Sequence, residues 1–178
     1  MQNDLVVESW GVITAFLEPH GLLDRLGPPA TAGDLAAAAE VAGPLPAELA
    51  RWWSLTSGAS LTLLPPGHVP YAVPAALSVR KSHVDVPVPG ESAPAGTPRR
   101  VGWLPQWLPI ASDGLFVDLR AGAARGCVGR ATSSLAFGGP RWISVGAMLL
   151  AVADAIRDDH PVDGWKITAD DSGVAWIR

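Results

Sequence analysis

The chain has 178 residues, about one domain's length, and its 48% hydrophobic and 17% charged content excludes a disordered polymer. One cysteine, Cys127, excludes an internal disulfide framework, and no run approaches the ~20 apolar residues of a membrane helix. The net charge of −4 and an opening Met-Gln-Asn-Asp, without the basic stretch of a signal peptide, predict a cytoplasmic protein.

Val6, Trp10, Ile13 and Leu17 recur at helical spacing, which predicts an amphipathic helix over 4–18 that Pro19-His20-Gly21 breaks. Thr31 then caps a second helix, with Asp34 in its first turn and Gly43-Pro44 at its end. Pro46 opens a third, in which Leu45, Leu49, Trp52, Trp53 and Thr56 line one face and Ser57-Gly58 marks the stop. Leu61-Thr62-Leu63-Leu64 reads as a short strand, Ala75 to His83 as a short helix, and 84–98 as a Pro-rich loop.

Trp107–Ala111, Leu115–Leu119 and Cys127–Ala131 read as three short strands whose close spacing predicts an antiparallel meander. Ser144 caps the most regular helix, in which Val145, Met148, Leu149, Val152 and Ile156 form the buried face. Alternation on both sides of Asp170-Asp171-Ser172-Gly173 predicts a terminal hairpin. The whole is a single α+β domain over 1–178, a mostly antiparallel sheet packed against several helices. Its parts are a helical region (1–58), strands with the Pro-rich loop (59–142), and a helix with its hairpin (143–178).

Charge is divided along the chain. Residues 1–50 hold seven acids against Arg25 alone, and 99–142 hold Arg99, Arg100, Arg120, Arg125, Arg130 and Arg141 against Asp113 and Asp118. Such a division either steers a charged partner or pairs acidic helices with basic strands inside the fold.

Chemistry is sparse. His20, His68, His83 and His160 stand far apart and Cys127 has no partner cysteine, so the spacing implies no metal and no cofactor. Cys127 reads as an inward strand position, where cysteine acts as a small hydrophobe. Asp113 sits in an Asp-Gly turn, and Asp118 beside Arg120 reads as half of a cross-strand ion pair. No catalytic residue is assigned. A small enzyme would need a cleft gathering two or more of His68, His83, Asp113 and Cys127. Nucleic acid, which the six arginines with Trp103, Trp107 and Trp142 would meet, is disfavoured by the acidic total and the acidic flanks. Trp52 and Trp53 project about 100° apart on one helix, which leaves one of them for the rim of an exposed groove, and tryptophan is a preferred interface anchor.

The helix Leu45-Pro46-Ala47-Glu48-Leu49 ending at Ser57-Gly58, the run Trp107-Leu108-Pro109-Ile110-Ala111 with Asp113-Gly114, then Phe116-Val117-Asp118-Leu119, and the helix at Ser144 follow one another in an order that resembles the SMI1/KNR4 proteins of the SUKH superfamily. Glu8-Ser9-Trp10 through Phe16-Leu17, and Pro28-Pro29-Ala30-Thr31 with Asp34-Leu35, look like the leading helices of bacterial members. The chain departs from the pattern in a shorter segment after Asp113-Gly114 and in the Pro-rich insert. The resemblance implies a non-catalytic protein-binding domain, in bacteria an immunity protein that neutralises a toxin. Glu8, Glu40, Glu48 and Asp113 would attract a basic partner surface, and Trp52 or Trp53 would fill its pocket. The alternative it implies is a regulatory or scaffold domain binding a cellular protein. Oligomeric state is left open.

Overall fold

The computed structural model describes residues 2–84, 93–100, 102–132 and 136–178, with side chains from residue 5 onward. Five α-helices and two small antiparallel sheets make an α+β domain. Helix α1 (Gln2–Leu17) and helix α5 (Val145–Asp158) pack along each other, and the short helix α3 (Ala47–Trp53) lies against both. Helix α2 (Ala32–Ala42) has its Thr31/Asp34 capping box complete: Asp34 N–H donates to Thr31 Oγ1, and Thr31 N–H to Asp34 Oδ2 at 2.9 Å. Helix α4 (Val73–Val84) packs on the first strand, and its first amide donates to Ser57 Oγ at 3.1 Å.

Strands β1 (Trp107–Ala111), β2 (Leu115–Asp118) and β3 (Val128–Arg130) form the expected antiparallel meander. Both of its faces are buried. Leu108, Ile110, Val117 and Val128 enter the main helical core, whereas Trp107 and Phe116 turn to a second, aromatic cluster with Trp103 and Phe137. The Trp107 and Phe116 rings stack with centroids 4.2 Å apart, and Phe137 meets both edge-on. Gly129 permits this: a Cβ there would lie 2.5 Å from the Phe137 ring and 2.8 Å from Phe116. Strands β4 (Lys166–Asp170) and β5 (Gly173–Ile177) form the terminal hairpin, with Ile167, Val174 and Trp176 facing the main core.

Three local expectations are corrected. Residues 61–64 form no strand; Thr62 instead takes the Trp176 indole N–H on its carbonyl and donates its hydroxyl to the Val174 carbonyl of β5. Helix α3 ends at Trp53, before Ser57-Gly58, because Leu55 and Thr56 amides both turn back onto the Trp52 carbonyl. Gly58 serves another purpose, since at φ +86° its missing Cβ leaves room for Ala72, whose nitrogen would lie 2.6 Å away. The Asp118–Arg120 pair runs along one segment rather than across strands, at 2.7 Å and fully enclosed. Of the expected loop 84–98, residues 85–92 lie outside the described residues. Residues 93–97 are held by the same ion pair: Asp118 Oδ2 accepts from Gly96 N–H, and Arg120 donates to the Ala93 and Thr97 carbonyls.

Glu48 joins α3 to α5. Its side chain is buried and its Oε2 accepts from the Gly146 amide at 2.9 Å, in the first turn of α5, while Ser144 Oγ accepts from Ala147 N–H at 3.1 Å. A carboxylate there satisfies an otherwise orphaned helix donor and meets the positive end of the helix dipole. Glu48→Ala is therefore expected to lower unfolding free energy by about 1–3 kcal/mol. Urea unfolding followed by tryptophan fluorescence measures it; an unchanged midpoint contradicts this role.

Candidate functional site

The structure separates the residues assigned from sequence into two groups. Trp52 and Trp53 are each only 1% exposed, and Glu48 is buried as described. None of the three is available to a partner, so their assignment to a binding surface is corrected. Trp52 meets Trp10 edge-on with centroids 6.4 Å apart, and both α3 indoles belong to the main core. The 100° between them is accommodated because α1 and α5 both pack on this short helix. Trp103 and Trp107, offered as stacking platforms, are likewise enclosed in the aromatic cluster.

Glu8, Glu40 and Asp113 are exposed. Glu8 lies on α1 and Glu40 on α2. Glu18 and Asp24, in short 3-10 turns after α1, are exposed as well. Three of the few large exposed hydrophobic side chains accompany these acids in sequence: Val7 beside Glu8, Leu23 beside Asp24, and Val41, half exposed at 50%, beside Glu40. Sequence periodicity had no means of finding them, because an isolated aliphatic residue next to a charge reads as ordinary helix surface. Arg25, the one lysine or arginine of residues 1–50, is engaged by the Ser60 hydroxyl and carbonyl and by the Ser172 carbonyl.

Four of the six central arginines are also engaged. Arg120 is buried on Asp118, Arg125 donates to the Pro44 carbonyl, Arg130 to the Asp113 carbonyl at 3.3 Å, and Arg141 to Asp163 and the Pro65 carbonyl. These bonds join the basic stretch of sequence to its surroundings. The exposed acids of the helical region carry no such ties to arginine or lysine among the described residues.

Asp113 stands at the β1–β2 turn with φ +56°, its side chain 68% exposed. His68 Nδ1 lies 3.7 Å from Asp113 Oδ2, beyond hydrogen-bond length, and both ring nitrogens of the buried His68 lack a hydrogen-bond partner among the described residues. Burial, reinforced by Arg130, holds the His68 pKa down to about 4 despite Asp113. Beside this turn is an open cleft of about 360 Å³ lined by His83, Trp103, Asp113, Arg130 and Thr132, where the His83 ring stacks on Trp103 at 4.6 Å. Cys127 belongs elsewhere: it is buried next to Asp118, and burial pushes its thiol pKa up to about 11. A thiol so protonated is a poor nucleophile at neutral pH.

Among the described residues, no group of three or more His, Cys, Asp or Glu is placed to hold a metal ion, and no helix is long and apolar enough to cross a membrane. No family model matches the chain, and no curated protein matches it.

His68 makes stability depend on pH. Its folded pKa of about 4 lies below the unfolded value of 6.5, so the unfolded chain binds the extra proton first and stability falls as pH drops between them. The loss is of order 3 kcal/mol over that interval. His68→Gln should flatten the stability profile between about pH 6.5 and 4. Equal slopes for the two proteins in urea titrations across that range would refute it.

Proposed function

We propose that this chain is a non-catalytic protein-binding domain of SMI1/KNR4 type, a cytoplasmic immunity protein that occludes the basic surface of a toxin domain. The observation that carries the reading is the pairing of exposed acids with exposed aliphatics on the helical region: Val7 with Glu8, Leu23 with Asp24, and Val41 with Glu40. Carboxylates in that setting raise the encounter rate with a cationic partner, and adjacent aliphatic groups add buried area once contact is made. Asp113 extends the acidic contribution from the sheet side. The order of sequence blocks, with helices at 47–53 and 145–158 bracketing the 107–130 meander, supports the family reading.

The mechanism is steric and electrostatic. A nuclease toxin is a natural target class, because a groove that accepts nucleic acid must be positive. The domain would cover that groove with side chains already ordered on helices, so little conformational freedom is lost on binding.

Co-expression with a toxin encoded beside the chain in its native genome tests the proposal. Glu8→Lys and Glu40→Lys should each cut the association rate by about tenfold at low salt and weaken rescue of growth, while leaving the fold intact. Raising ionic strength should erase most of that difference. Trp53→Ala should behave otherwise, losing rescue through unfolding, since truncating a core aromatic costs about 3–5 kcal/mol. Full rescue by both charge-reversal variants, with unchanged association rates, overturns the assignment of this surface.

A further inference from the structure

The open cleft of about 360 Å³ beside the β1–β2 turn brings a flat aromatic wall together with two opposite charges. The wall is firmly held. Trp103 is buried, its indole N–H donates to the Trp107 carbonyl at 3.1 Å, and its ring meets Trp107 and Phe116 edge-on. His83, in the last turn of α4, stacks on Trp103 with centroids 4.6 Å apart, and both rings line the cleft. Burial lowers the His83 pKa, which keeps this ring neutral at pH 7.

The charges are those of Arg130 and Asp113. Arg130 Nε donates to the Asp113 main-chain carbonyl at 3.3 Å, which holds the guanidinium alongside the turn, yet the two side chains form no ion pair with each other. Both Nη groups of Arg130 lack a hydrogen-bond partner among the described residues. Asp113 Oδ2 accepts from Ser112 Oγ at 3.2 Å, and Oδ1 has no such partner among the described residues. His68 Nδ1 lies 3.7 Å from the same Oδ2, but with a pKa of about 4 this buried ring is neutral at pH 7 and supplies no counter-charge. The cleft thus presents one cation and one anion that nothing in the chain neutralises by contact.

A ligand carrying only a negative charge would face the Asp113 carboxylate, one carrying only a positive charge would face Arg130, and a neutral one would desolvate both without recompense. A zwitterion meets both at once. Its carboxylate can accept from the two Arg130 Nη groups, its ammonium can donate to Asp113 Oδ1, and a flat side chain can lie against the His83–Trp103 wall. We propose that this cleft binds a free α-amino acid with an aromatic side chain, at a site separate from the exposed acids of the helical region. The space is sufficient, since small-molecule sites run from roughly 300 to 1,000 Å³. With one ion pair at each end and an open side, the affinity is modest, with Kd on the order of 0.1–1 mM.

Titration of the full chain with L-phenylalanine up to about 20 mM, followed by NMR shifts of the tryptophan indole N–H groups, tests this, and saturable binding is expected. Two fragments of the same ligand separate the charges: 3-phenylpropionate lacks the ammonium and phenethylamine lacks the carboxylate, and each should bind about tenfold more weakly or worse. Arg130→Gln and Asp113→Asn should each weaken L-phenylalanine by about tenfold, and asparagine tolerates the left-handed backbone at φ +56°. Arg130→Lys, which keeps the charge, should recover part of that loss. Should a variant melt early, the comparison of the three compounds on the unaltered chain decides alone. No saturable shift, or equal affinity for all three compounds, overturns the proposal. Displacement of L-phenylalanine by inorganic phosphate overturns it too, in favour of a plain anion site. Toxin binding is read by growth rescue with the Glu8 and Glu40 variants, so either reading can fail without the other.

Discussion

Two adjacent tryptophans on a seven-residue helix set the terms for the rest of this fold. Trp52 and Trp53 project in different directions, and both are buried. A helix that short contributes little stability by itself, so tertiary packing has to hold it. Helices α1 and α5 supply that packing, Trp10 closing on Trp52 and the first turn of α5 resting on the Glu48 carboxylate. Gly146 fits the same constraint, since a Cβ there would lie 2.9 Å from Glu48 Oε1. The acid nearest the tryptophans is thus a structural cap, and the aromatic residues nearest the acidic helices are core.

That allocation decides what is left for the surface. The arginines between 99 and 142 dominate the middle of the sequence, yet Arg120, Arg125, Arg130 and Arg141 are occupied by carbonyls and carboxylates of the same chain. Glu8 on α1, Glu40 on α2, and Glu18 and Asp24 in the turns after α1 stay exposed, with Val7, Leu23 and Val41 next to three of them in sequence. A charge division along the sequence thereby becomes a division in availability: these four arginines are held by internal bonds, whereas Glu8, Glu18, Asp24 and Glu40 face solvent. Exposed carboxylates with aliphatic neighbours in sequence are suited to recognising a cationic macromolecule.

Much of the architecture was legible from residues. The capping signals at Thr31 and Ser144, the meander over 107–130 and the terminal hairpin all form where periodicity and turn residues place them. The aromatic cluster was not legible, because Trp103 and Phe137 lie outside the strands they pack on, and Gly129 reads as a flaw until Phe116 and Phe137 are seen over it. Residues 61–64 have a strand's composition, but Thr62 meets β5 through side-chain bonds and Leu64 turns back onto His68 through backbone ones. The assumption that adjacent helical tryptophans must leave one exposed failed because it treated the helix as lying on a surface, whereas α3 is enclosed. Of the residues assigned to binding, the exposed acids on long helices and at the turn kept their place on the surface. Those on the enclosed helix did not.

Hydrogen exchange of the chain, alone and with a protein recovered on it from its native cell, tests the proposed acidic binding surface most directly. Added amide protection in α1, the turns over 18–25 and α2 is the expected result. Protection confined to the 360 Å³ cleft at His83 and Asp113, with the acidic helices unaffected, would contradict it.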